Sequence, residues 1–258
     1  MPGVRAVKTE IQVRYDSLLE FSSVARRLMG KYTSVTDGIT IRNQNQLDER
    51  IILSAPEEGY FFDCTWERAA FVGEGKRSNF RSEGGKTRFF FSLIEDISDL
   101  GFFDKFNGMA VVAYDVIPLE SERQSTTGEP ESIEEMVDPV VEAFSERFLR
   151  ESQSLIPGSH TDAGVILNHQ EGNFQMTTQF GPFRPEKDVE GRDLIVFGQA
   201  GSPHSPDWAV APSLLVQNEI VYSGTDISHD TFLRCDEKRK AVVERIAKSS
   251  KSLLDHGS

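Results

Sequence analysis

The amino-acid sequence predicts an α+β protein of two α+β halves, each a mainly antiparallel sheet packed by two helices. Three observations predict it. Short runs rich in β-branched and aromatic residues alternate with compact turn segments, the pattern of antiparallel hairpins. Amphipathic helical stripes flank these runs in both halves, the arrangement of α+β layers. A polar, acidic stretch, "ESERQSTTGEPESIEE", falls near mid-chain. It divides the chain into an N-terminal domain, residues 1–120, and a C-terminal domain, residues 131–258, with a linker at about 121–130.

The elements follow in order. "VRAVKTEIQVRY" reads as a strand whose parity slips near Lys8, which predicts an edge-like strand or a bulge. "DSLLEFSSVARRLMGKY" is a helix: Ser17 and Glu20 have capping-box spacing, Leu18, Phe21, Ala25 and Leu28 share a face, and Gly30 can end it. "GITIR" and "ERIILSA" are strands around the polar "NQNQLDE". "YFFDCTWERAAFVGEGKR" turns back on itself as a hairpin. A basic loop, "KRSNFRSEGGKTR", leads out of it. After "FFF", Ser92 and Glu95 repeat the capping-box spacing and mark a helix start. "GMAVVAYDVIPL" is a buried strand closed by Pro118. In the second half, Asp138 and Pro139 suit an N-cap and first helical position, and Val140, Val141, Phe144 and Phe148 form the stripe that follows. Pro157-Gly158 stops that helix. "DAGVILNHQ" and "NFQMTTQFG" make a hairpin over "EGN". "DLIVFGQA" and "WAVAPSLLVQNEIVYSGTDI" add strands. "DEKRKAVVERIAKSSKSLLDH" is a final amphipathic helix, with Val242, Ile246 and Leu253 beside Val243, Ala247 and Leu254.

Composition narrows the function. The chain has 258 residues, is 38% hydrophobic and carries a formal net charge of -13, which argues against sequence-blind binding to nucleic acid or an anionic membrane. Its 18 phenylalanines can supply a sizeable core. Cys64 and Cys235 form no C-x-x-C pattern, so neither a thiolate zinc site nor a redox motif is expected. Low cysteine use and a start without an apolar leader predict reduced thiols in a cytoplasmic protein, with no membrane span.

Three groups of residues could carry chemistry. Asp63, followed at a distance by Glu74-Gly75-Lys76, has the residue types of a metal-dependent nuclease or phosphohydrolase: carboxylates for a divalent ion and a lysine beside the attacking water. Such a site wants a further acid on a preceding helix, for which Glu20 is the nearest candidate. The bland alternative is the polar face of a hairpin. Lys76, Arg77, Phe80, Arg81, Lys86 and Arg88 form a basic loop in an acidic chain, suited to a phosphate, a stacked base or an acidic partner. His160, His169 and His229 could assemble a zinc site, although as loop and strand-end residues they need no such role. No G-x-S-x-G elbow, Walker loop or dinucleotide fingerprint is present, and no cofactor is expected.

The layout resembles a family of sporadically distributed bacterial proteins without established chemistry. The resemblance rests on the N-terminal strand and helix, the strand with "DCTW", the buried "MAVVAYDV", and "TDIS" running into a long amphipathic helix. It implies a bacterial cytoplasmic protein encoded near defence or mobile-element genes, and no catalytic residues. Together these readings lead us to expect a non-enzymatic binding or assembly subunit with a protein partner or a second copy, in antiviral defence. A metal-dependent nuclease and a nucleic-acid sensor using the basic loop are the alternatives.

Overall fold

The structure, a computed structural model, describes residues 3–16, 18, 21–32, 36–44, 46, 48–74, 85–101, 106–119, 133–150, 163–192, 194, 212–251 and 253. The chain is mixed α+β. In place of a separate sheet for each half, nine strands join one antiparallel sheet in the order β2-β3-β4-β5-β1-β6-β9-β8-β7. The strands are β1 (Arg5–Tyr15), β2 (Gly38–Arg42), β3 (Arg50–Ala55), β4 (Tyr60–Cys64), β5 (Arg68–Glu74), β6 (Phe106–Pro118), β7 (Val165–Glu171), β8 (Phe174–Pro182) and β9 (Ser213–Tyr222). The helices are α1 (Phe21–Tyr32), α2 (Lys86–Gly101), α3 (Ile133–Phe148), α4 (Pro185–Gly191) and α5 (His229–Ser249).

Several local expectations hold. The parity slip near Lys8 is a bulge: Ala6 pairs with Asp115 and Lys8 with Tyr114, leaving Val7 as the extra residue. The strand that carries it is central, not an edge. The hairpins β4–β5 and β7–β8 form as read, and Gly172 takes the left-handed φ of 57° that the tight β7–β8 turn requires.

Helix starts differ from the sequence reading, each for a local reason. Leu18 precedes α1 because its amide donates to the Trp66 carbonyl at 2.7 Å, and Ser17 and Glu20 lie outside the described residues. α2 begins at Lys86, so "FFF" is helical and Ser92 is an interior residue. α3 begins at Ile133, so Pro139 stands inside the helix and Asp138 is not its cap. α5 begins at His229, capped by the Ser228 hydroxyl accepting from the Thr231 amide at 3.2 Å. The "DLIVFGQA" strand and the 121–130 linker lie outside the described residues, apart from a buried Leu194.

α1, α2, α3 and α5 pack on one face of the sheet. α1, α2 and the start of α5 cover Ile11, Val13, Phe62, Phe71 and Val111. α3 and the end of α5 cover Ile117, Phe180, Leu214 and Val216. An aromatic ladder ties the first group together, running Tyr60, Phe62, Phe90, Phe91 and Phe232 at centroid distances of 5.3–6.0 Å. On the reverse face, α4 and its flanks bury Val7, Val116, Phe183, Leu194 and Leu215.

Between the two apolar clusters lies a buried charge group. Arg239 of α5 donates to Asp115 of β6, and its Nε and Nη2 reach Asp236 Oδ1 at 3.0 and 2.7 Å. Lys240 completes the group at the other oxygen of Asp236. Arg239 is 2% exposed and Asp115 0%, so the pair is fully desolvated. Burial alone would raise the Asp236 carboxyl, but Arg239 and Lys240 outweigh it and hold the carboxyl below its ordinary range.

Removing one member of this pair strands a buried charge. We expect Asp115→Ala or Arg239→Ala to cost about 3–5 kcal/mol in urea unfolding, and Asp115→Leu with Arg239→Met to recover most of that loss. The depressed Asp236 carboxyl adds a pH dependence. Its stabilisation is present above the unfolded value of about 3.9 and is lost as the pH falls through the lower folded value. The stability gap between wild type and Asp236→Asn should therefore narrow as the pH drops below about 4.

Candidate functional site

The hairpin does not bring its carboxylates together. Asp63 pairs across the β4–β5 ladder with Ala70, and Glu74 stands four residues further along β5, about 13 Å away at 3.3 Å per residue. Asp63 is engaged elsewhere. Its two oxygens accept from Arg50 Nε and Nη2, both at 2.5 Å, and Arg68 stands 3.6 Å away. This bidentate fork bridges β3 and β4 on the reverse face of the sheet. Lys76 lies outside the described residues.

The end of the basic stretch is helical. Lys86 and Arg88 belong to the first turn of α2, while Lys76, Arg77, Phe80 and Arg81 lie outside the described residues. The Lys86 ammonium donates to the Glu58 carbonyl and sits 4.8 Å from the centre of the Tyr60 ring. It pins the start of α2 to the turn at Pro56–Glu58. Arg88 is exposed.

The histidines are also apart in role. His229 packs between α2 and α5, its Nε2 3.2 Å from Thr87 Oγ1 and its ring beside Phe91 and Phe232. His169 is an exposed residue of β7, 3.9 Å from Glu171. His160 lies outside the described residues. Among the described residues, no group of three His, Cys, Asp or Glu side chains is placed to hold a metal ion. Cys64 and Cys235 are free and buried. Burial pushes both thiols up, Cys235 to about 12, so neither is a thiolate near neutral pH. No helix among the described residues is long and apolar enough to cross a membrane.

Two other features of the structure suit binding. The first is the β7 edge. β7 is a seven-residue outer strand without proline or lysine, in unbroken register with β8. Ile166 and Leu167 point to opposite faces and are 63% and 52% exposed. The other edge, β2, is five residues long and packs Ile39 and Ile41 against the core.

The second is a cleft of about 430 Å³ on the reverse face, between α4 and strands β7, β8 and β9. Arg184, Lys187 and Arg192 line it, with Gln179, Gln217 and Asp188. Asp188 accepts from the Arg184 amide at 2.8 Å and from Arg192 Nε at 3.0 Å. Arg192 also donates to the Gln217 carbonyl oxygen. One wall depends on a glycine: a Cβ at Gly181 would lie 2.5 Å from the Ala163 carbonyl oxygen, so only glycine lets the 163–164 segment close over β8.

Sequence reasoning missed this cleft. Its cations come from "FRPEKDVEGR", where three basic and three acidic residues are interleaved and no net charge stands out. The one local signal was Pro185, which suits a first helical position and does begin α4. No protein-family model matches the chain and no curated protein matches it, so the bacterial resemblance rests on layout alone.

Asp63 is held as a structural carboxylate. Asp63→Ala should lower stability by about 1.5–3 kcal/mol, the loss of charged hydrogen bonds to Arg50. Magnesium or manganese should leave the wild-type melting temperature unchanged. A metal-dependent rise that Asp63→Ala abolishes would restore the nuclease reading.

Proposed function

We propose that this chain is a non-enzymatic assembly subunit that extends its sheet through the β7 edge, pairing with β7 of a second copy. The observation that carries this reading is an edge that no described strand covers, with Ile166 and Leu167 exposed on it. Proteins that keep such an edge unpaired blunt it with lysine, proline or a bulge, and β7 has none of these. Strand addition recovers main-chain hydrogen bonds and covers alternate side chains.

We also read the sheet as two halves of similar plan, which supports the same conclusion. β1-α1-β2-β3-β4-β5-α2 is followed by β6-α3-β7-β8-β9-α5, with α4 between β8 and β9. In each half the first strand pairs with the last, β1 with β5 and β6 with β9, and the two first strands meet at the centre. On this reading β7 corresponds to β3. β3 is covered by β2, whereas no described strand covers β7.

A two-fold axis at Leu167 fits the charges. Antiparallel pairing there sets Leu167 against its twin, Val165 against His169, and Glu171 against Ala163. No like charges oppose each other. The layout resemblance alone motivates the further proposal that the assembly works in a bacterial cytoplasm, in antiviral defence.

The test is the mass in solution by light scattering. We expect twice the 28.9 kDa chain mass for the wild type and a single chain mass for Leu167→Lys. Leu167 is half exposed, so the substitution should change stability by no more than about 0.5 kcal/mol. A wild-type monomer at all concentrations sinks the self-pairing. If its β7 amides also exchange slowly, the edge is covered by another part of the same chain.

A further inference from the structure

We propose that the cleft between α4 and strands β7, β8 and β9 binds a small organic anion, a carboxylate or phosphate monoester on an apolar body. The charge balance points to this. The chain carries a formal net charge of -13, yet three cations and one carboxylate line the cleft among the described residues. That carboxylate, Asp188, is spent on the Arg184 amide and on Arg192 Nε. One of its oxygens fixes the start of α4 and the other orients Arg192.

Arg192 is preorganised. Asp188 holds its Nε at 3.0 Å, Gln217 accepts from its Nη1, and the side chain is still 35% exposed. A guanidinium fixed in this way loses little entropy when it meets a planar carboxylate or a phosphate. The Gln217 oxygen is taken by Arg192, so the amide's remaining polar end is its NH2 donor group, which again favours an anion. Lys187 is exposed at the rim and adds a mobile charge that steers encounter.

Size and lining set the rest of the ligand. A volume of about 430 Å³ falls within the range of small-molecule sites, roughly 300–1,000 Å³. Ile166, Pro182 and Leu215 supply apolar surface beside the cations. An inorganic ion would leave that surface unused, and a polynucleotide would not fit a single cleft in an otherwise acidic chain. The Gly181 contact with the Ala163 carbonyl closes one wall, so the shape belongs to the folded sheet.

The test uses the full-length, 15N-labelled chain, titrated with phenyl phosphate, 3-phenylpropionate and the neutral 3-phenylpropanamide. The readouts are the side-chain amides of Gln179 and Gln217 and the backbone amide of Lys187. At least one of the two anions should shift them saturably. The neutral amide should bind about tenfold more weakly or not at all. The ratio of the two anions distinguishes a phosphate from a carboxylate site. Lys187→Glu, an exposed change that leaves the fold alone, should weaken the anion by about tenfold, and Arg192→Gln by more. The proposal is overturned if neither anion saturates, if the neutral amide binds equally well, or if Lys187→Glu keeps wild-type affinity. Leu167→Lys leaves the cleft lining untouched, so anion binding and self-association succeed or fail separately.

Discussion

The contact between Arg239 and Asp115 ties the longest helix to the longest strand. β6 lies at the centre of the sheet, and α5 crosses both apolar clusters. One buried stripe runs along α5 through Phe232, Cys235, Asp236, Arg239, Val243 and Ile246. Its ends are apolar and its middle is an ion pair. Only one rotation of the helix satisfies all three parts at once. If α5 rolled away from that rotation, Arg239 and Asp115 would be buried without each other, a loss that apolar contacts could not offset. Two clusters that could otherwise slide past each other are thereby locked to one register.

This packing decides what the other face can do. With α1, α2, α3 and α5 on one side, α4 is the one described helix on the reverse face. Antiparallel sheets tolerate one solvated face, so long as it is polar. Toward β8 this face is largely neutral polar, with Gln175, Thr177, Gln179 and Gln217, whereas over β1, β3, β4 and β5 it carries charges such as Glu10, Arg14, Arg50, Asp63 and Arg68. The basic cleft and the β7 edge stand at the same side of this surface. Helix α3, on the opposite face, lies over β8 and reaches only the start of β7 at Val165, so Leu167 stays half exposed.

Local signals were legible where neighbours alone decide the outcome. The β1 bulge followed from a parity slip, and the hairpins followed from turn residues between apolar runs. Helix starts were less legible. Ser92-x-x-Glu95 has the right spacing for a cap, but a cap requires the preceding chain to leave the helix, and Phe90 and Phe91 have a core to enter as helical residues. α5 begins at His229, seven residues ahead of the "DEKRK" run that opens the helix in the sequence reading, because the Ser228 hydroxyl caps it there. Asp236 and Arg239 of that run are buried because Asp115 waits for them on a strand more than 120 residues away. The cleft was invisible for a similar reason: folding selects Arg184, Lys187 and Arg192 from a stretch of alternating charge.

By itself, the sequence determined that the chain is mixed α+β, where most strands lie, and that no familiar catalytic motif is present. These depend on periodicity, turn chemistry and composition, which are properties of contiguous residues. Only the tertiary structure decided that all nine strands share one sheet, that Asp63 is an arginine's partner, and that Arg184, Lys187 and Arg192 meet strands β7, β8 and β9 in one cleft. Each of those depends on which distant strand or helix becomes a neighbour. That choice is made by burial summed over the whole molecule, and no short stretch of sequence carries it.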